Sequence, residues 1–293
     1  MRVTQHSLSM GSLANVQASL NRTAKLQEQM SSGKQINRPS DSPTGTVTTL
    51  SLRSQISAQE QYAANAQDGG SWLGTLDTTL QSVNGTLQRV RDLTVQAGNT
   101  GSMDTNARQA IAAEVTTLRE NLIGLANTTY LGRPVFGGTT AEKQAFDPET
   151  YAYRGDGGKV TRRIDDSTQV SVGANGPKVF GAQDDTLFAF LDTLAADVAT
   201  NPSALSTDLG QLDGRMGTVL NALTDVGVRT NQVEQAQTAA KNKALDLRST
   251  LSGVEDIDLP SVIIDLQLQE TTYQAALSAT AKVLQPTLMD FLR

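Results

Sequence analysis

The chain has 293 residues, with Lys+Arg 24 against Asp+Glu 30 for a net charge of −6 and no cysteine. So acidic a chain is a poor partner for a phosphate backbone, and without cysteine neither a disulfide framework nor a thiolate zinc site can form. A single histidine, His6, removes His-based triads and metal centres, and aromatics at 4% leave a core that must pack through aliphatic and alanine contacts.

The first ten residues lack the apolar run and small-residue cleavage site of a signal peptide, and nowhere are there ~18 consecutive apolar residues. Composition leaves two possibilities open: a cytoplasmic protein, or one that leaves the cell without a cleaved signal.

In chain order, Leu13, Val16, Leu20, Leu26 and Met30 predict a first helix that stops at Ser31-Ser32-Gly33. A second stripe runs Leu73, Leu76, Leu80, Val83, Leu87, Val90, Leu93 and Ala97 in steps of three or four, a coiled-coil spacing. It is extended upstream through Val47, Leu50, Ile56, Ala63 and Ala66 and halted at Gly98-Asn99-Thr100-Gly101. Ser102-Met103-Asp104 offers an N-cap to a helix with Ile111, Val115, Leu118, Leu122 and Leu125.

Between about Tyr130 and Phe180 the pattern changes. Turn signals stand at Gly137-Gly138, Asp147-Pro148, Gly155-Asp156-Gly157-Gly158 and Asn175-Gly176-Pro177. The runs 150–154, 160–164 and 169–172 predict strands of a small antiparallel element, with Gly155–Gly158 as a hairpin turn. Helical spacing resumes at Phe188, Leu191, Leu194 and Val198 and stops at Asn201-Pro202. The longest stripe follows, from Leu205 to Val254, on the order of 75 Å if unbroken, although Gly210, Gly214, Gly217 and Gly227 leave room for a break. A last helix carries Ile263, Leu266, Tyr273, Leu277, Leu284 and Phe291, with Pro286 placed to kink it. The two terminal helices either pair with each other or fold back onto the central bundle. The pattern alone leaves both open.

Several segments resemble the bacterial flagellin superfamily. They are Met1-Arg2-Val3-Thr4-Gln5, the run from Met30 through Arg38-Pro39-Ser40-Asp41-Ser42-Pro43, Asn65-Ala66-Gln67-Asp68-Gly69, and Leu87 to Asn99. Val228 to Glu234, Leu251 to Asp258 and Asp290-Phe291-Leu292-Arg293 resemble its carboxyl-terminal pattern. Within the superfamily, Arg2-Val3-Thr4-Gln5, the two prolines of 38–43 and Leu131-Gly132-Arg133-Pro134-Val135-Phe136-Gly137-Gly138 are more similar to hook–filament junction members than to filament subunits. Pro134 departs from that pattern.

The resemblance implies a mainly α fold: a long coiled-coil and helical-bundle rod built from both chain ends, with a small inserted antiparallel β domain. The expected division is 1–42 and 255–293 for the terminal coiled coil, 43–130 and 183–254 for the helical rod, and 131–182 for the outer β insert. It also implies a ring of about eleven identical copies, lying between a neighbouring hook-associated protein and flagellin. Export would be through the flagellar type III route with a chaperone near the C-terminus, giving an extracellular protein with no cofactor, nucleic-acid or membrane partner.

The residues expected to form the subunit-assembly interface are Leu13, Val16, Leu20, Ile263, Leu266, Leu277, Leu284 and Phe291. As an isolated pair the terminal helices bury little against their ordering entropy, so residues up to about Ser40 and beyond about Asp256 are expected to order on docking.

No nucleophile, base or metal set converges, so no enzyme is expected. Gly155-Asp156-Gly157-Gly158-Lys159 lacks phosphate-loop spacing, and Asp147, Asp156, Asp165 and Asp166 lack an EF-hand register. The sequons at Asn21, Asn84 and Asn127 are read as incidental. Two rival functions stand beside the junction role: flagellin itself, and a cytoplasmic coiled-coil scaffold.

Overall fold

The computed structural model describes residues 2–99, 104–183 and 185–284, with side chains from Met10 to Ala281. Seven helices and four short strands follow one another among the described residues: α1 (Arg2–Ser32), α2 (Pro43–Gly98), α3 (Thr105–Ala126), β1 (Thr129–Tyr130), β2 (Arg133–Pro134), β3 (Thr161–Arg163), β4 (Gln169–Ser171), α4 (Gly176–Phe180), α5 (Leu187–Thr200), α6 (Leu205–Glu255) and α7 (Leu259–Leu284). The chain forms two compact units, one of residues 1–57 with 243–293 and one of residues 58–242.

The larger unit is organised by heptads. In α2, Ala66, Leu73, Leu80 and Leu87 alternate with Leu76, Val83, Val90 and Ala97, and all are buried. In α6 the buried residues Leu205, Leu212, Val219, Val226, Val233 and Ala240 recur every seventh position. A strict 3.5-residue spacing holds one stripe against a neighbour along the whole length of a helix. The glycines of α6 do not break it: a Cβ added at Gly210, Gly214, Gly217 or Gly227 would meet nothing. Continuous packing outweighs their weak helix propensity of about 1 kcal/mol each. The helices are laced by ion pairs, Arg89 to Glu114 at 2.6 Å and Arg91 to Asp213 at 2.7 Å, with Arg119 on Asp192 between α3 and α5.

The insert keeps two of its three predicted strands. β3 and β4 pair antiparallel, Arg162 opposite Val170, and β1 pairs with β2. The run 150–154 is not a strand; only Tyr153 forms a bridge, to Phe146. Asp147 captures the N–H groups of Glu149 and Thr150 (2.9 and 3.0 Å), curling the chain, and Tyr151 takes a left-handed φ of 58°. Gly155–Gly158 is likewise no hairpin turn. It lies on the 137–139 corner, where Asp156 accepts the Thr139 N–H at 2.6 Å and bonds its hydroxyl. Gly138, at φ 73°, is required there, since a side chain would strike Asp156. Asn175-Gly176-Pro177, read as a turn, opens α4, with the Asn175 side chain accepting the Lys178 N–H at 3.1 Å.

Phe136, Phe146, Phe180 and Phe188 form the insert's core with ring centroids 5.0 to 5.6 Å apart. Asn127, one of the sequons, is a hub: its side chain accepts from Ala145 and Phe146 N–H, both 2.8 Å, and donates to the Phe146 carbonyl. Arg162 to Asp68 at 2.6 Å and Arg229 to the Ser171 and Gly173 carbonyls tie the insert to α2 and α6. Trp72 on α2 packs on Tyr130 at 5.3 Å.

Candidate assembly surface

α1 and α7 belong to the smaller unit and pack on each other. α1 ends where Gly33 adopts φ 71°, which frees the chain to turn away. Lys34 forms an antiparallel bridge with Asp256, while the Gln269 amide donates to Ser19 Oγ at 2.7 Å. As residue numbers fall along α1 they rise along α7, so the helices run antiparallel.

Each helix turns a heptad seam inward. On α1 it is Ser12, Val16, Ser19, Thr23 and Leu26; on α7 it is Val262, Leu266, Gln269, Tyr273, Ala276 and Thr280. The deepest residues of the α1 seam are polar, Ser19 at 6% and Thr23 at 8% exposure. The large aliphatics lie beside the seam, one position round the helix. Leu13 and Leu20 stand seven residues apart on α1, and Ile263 and Leu277 fourteen apart on α7; all four are exposed, Leu13 by 56%.

Of the predicted interface residues, then, Leu13, Leu20, Ile263 and Leu277 form outward apolar columns, whereas Val16 and Leu266 are half-buried within the pair. The terminal helices therefore pair rather than each folding back separately. The Leu284 side chain, Phe291 and Pro286 lie outside the described residues. Sequence reasoning missed Met10, Leu259, Ile264 and Leu268, the last two each 65% exposed. The Ile263-Ile264 doublet could have signalled them, since two adjacent aliphatics cannot both face one narrow seam.

Val47 and Leu50, expected to continue the inward stripe of α2, are exposed instead. The heptad counted back from Ala66 reaches Ile56, Leu52 and Thr49, and those are the buried positions, with Leu52 and Ile56 packed on Leu247. Val47 and Leu50 thus add two more aliphatics to the open surface of this unit.

Beneath the pair sits an ionic knot. Glu255, 3% exposed, receives Lys34 and, at 2.6 Å, Arg53, while its carbonyl accepts the Gln35 N–H at 2.6 Å. The 37–42 turn is stapled to α1 through Asp41. The Lys25 ammonium, 3.0 Å away, holds the Asp41 carboxyl below its usual range, helped by the Arg38 N–H. Ser42 then caps α2, accepting the Gly45 N–H at 3.1 Å, with Pro43 in the first helical position.

Among the described residues no three His, Asp or Glu side chains gather as a metal site, and no helix is long and apolar enough to cross a membrane. His6 lies on α1 with its side chain outside the described residues.

Residues 3–141 match the family model of the bacterial flagellin N-terminal helical region. Flagellar hook-associated protein 3 of Salmonella typhimurium is 25% identical over 301 residues, covering 94% of this chain and 95% of that protein. The chain is thus similar to bacterial flagellins in its amino-terminal helical region and to a hook-associated protein over nearly its whole length. It is also 34% identical to the flagellin of Bacillus subtilis, over 141 residues that cover 47% of this chain and 46% of that one. The crystal structure of Bacillus cereus FlgL superposes with a TM-score of 0.61 at 25% identity, covering 69% of this chain and 99% of that one.

Proposed function

We propose that this protein is a structural component of the bacterial flagellum, the adaptor layer that joins the hook, through a neighbouring hook-associated protein, to the flagellin filament. The observation that carries the reading is the pairing of α1 with α7 around a partly polar seam, with Leu13, Leu20, Ile263 and Leu277 left facing outward. A pair built this way gains little from closing on itself, and its outward aliphatics need a covering surface. Similarity to hook-associated protein 3 over nearly the whole chain supports that partner being flagellar.

The finer picture is that about eleven copies close into one ring, that α1, α7, Leu284 and Phe291 dock on sister copies and the hook side, and that residues 131–182 form an outer domain. Segments 1–42 and 255–293 act as the terminal coiled coil, which holds its paired form when docked. Segments 43–130 and 183–254 act as the rod. Export would run through the flagellar type III apparatus with a chaperone near the C-terminus. The role is mechanical rather than catalytic.

Deletion of the gene followed by electron microscopy tests the reading. The expected cells carry hooks without filaments and shed flagellin into the medium. Loss of the filament subunit itself, with this chain present in thousands of copies per filament of the parent, would make it a flagellin. Unchanged motility with the protein confined to cytosol would make it a scaffold.

A further inference from the structure

The seam between α1 and α7 contains a feature that burial alone does not require. Where an aliphatic would pack best, Ser19 and Thr23 take the two deepest places on α1, and Gln269 faces them from α7. The three are bonded into one layer. The Gln269 amide donates to Ser19 Oγ at 2.7 Å and leans on the Ser19 carbonyl at 3.4 Å, while Thr23 Oγ1 donates to that same carbonyl at 3.1 Å. Elsewhere the half-buried seam is Val16, Leu26, Val262, Leu266, Tyr273 and Ala276, with polar residues only toward its far end.

We infer that the Ser19–Thr23–Gln269 layer is the register determinant of the terminal helix pair. Apolar heptads tolerate sliding, because each knob finds an equivalent hole one layer along. A half-buried amide resists it, because a slip of one layer breaks both of its bonds to Ser19 and sets it beside Val16, or beside Thr23, whose hydroxyl already bonds the Ser19 carbonyl. These are therefore positioning residues. They fix which aliphatics of α1 and α7 stand side by side on the outside, and so the shape of the apolar surface offered to neighbours. The consequence for assembly rests on the proposed flagellar role; the register itself does not.

The absence of native cysteine makes a direct test possible. Ser12 and Ala276 are half-buried seam positions whose numbers sum to the same value as Ser19 and Gln269, so they lie level; Thr280 is one layer out of register with Ser12. The full-length chain carrying Ser12→Cys with Ala276→Cys, or Ser12→Cys with Thr280→Cys, is oxidised both as purified protein and in isolated flagella. The in-register bridge should exceed the slipped one by about tenfold. Adding Gln269→Leu, or Ser19→Ala with Gln269→Leu so that no polar group is orphaned, should bring the two bridges within about twofold while helix content by circular dichroism holds. An unchanged ratio in both backgrounds overturns the inference, as does failure of the in-register bridge in both samples. Absence of the chain from flagella, with the ratio shift intact in the purified protein, would instead count against the flagellar role alone.

Discussion

Single carboxylates decide much of the local structure, and Asp147 is the clearest. Its oxygens accept the N–H groups of Thr150 and Glu149 and then the Arg154 guanidinium, and together these hold its carboxyl down to about 2 from 3.8. A group whose folded pKa is depressed stabilises fully above its unfolded pKa, and that contribution fades as pH falls through the folded value. The stabilisation should therefore be complete above about pH 4 and disappear toward about pH 2. Asp147→Asn should lower the melting temperature at pH 7, and the gap to the parent should close by about pH 2. The fluorescence of Trp72, the single tryptophan and a neighbour of Tyr130 on β1, reports the transition. A gap that stays constant across that range would show that the turn does not depend on the charge. Asp147-Pro148 signals a turn, but the sequence does not say how far it runs, because a period-two run at 150–154 looks the same whether or not an upstream carboxylate takes the N–H groups that lead into it.

At the scale of the helix, face matters more than hydrophobicity. Leu277 and Ala276 are neighbours in sequence, yet Ala276 sits in the seam and Leu277 stands on the outer column. Leu277→Asp should leave the chain soluble, with its helix content and the 58–242 unit intact, because the side chain is already half in water. It should nonetheless abolish incorporation at the hook, scored by immunogold labelling and swimming motility. Normal filaments from that variant would remove Leu277 from the interface. The same logic governs the upstream end of α2. Period 3.5 counted from Leu73 is unambiguous through Ala66, but below Ile56 the buried positions include Thr49, while the more apolar Val47 and Leu50 lie off the seam. Those two aliphatics point outward, so hydrophobicity and burial part company at the place where a neighbour would sit.

The two units of the whole molecule are unequally provisioned. Residues 58–242 hold a continuous buried cluster from Ala66 to Val233, including five phenylalanines and Trp72, and a fully buried large side chain contributes roughly 1.5–3 kcal/mol. The smaller unit has Leu52, Ile56 and Leu247 as its buried aliphatic cluster, together with the Glu255 knot. Limited proteolysis of the isolated protein, read by mass spectrometry, should therefore trim residues before about Ser40 and after about Asp256 within minutes and spare the middle. Uniform resistance would mean that the terminal pair is stable by itself.

The helices and the apolar stripes of both ends were legible from sequence, since 3.5-residue spacing is a one-dimensional signal that survives without coordinates. Four of the eight expected interface residues proved outward, two half-buried. Tertiary structure alone decided which side of each terminal helix is seam and which is surface, because the pairing is set by Ser19, Thr23 and Gln269, residues no hydrophobic count selects. It alone decided how the insert folds as well. There, hydrogen bonds between residues far apart in the chain, such as Asn127 to Phe146 and Asp156 to Thr139, override the local preference for extended backbone.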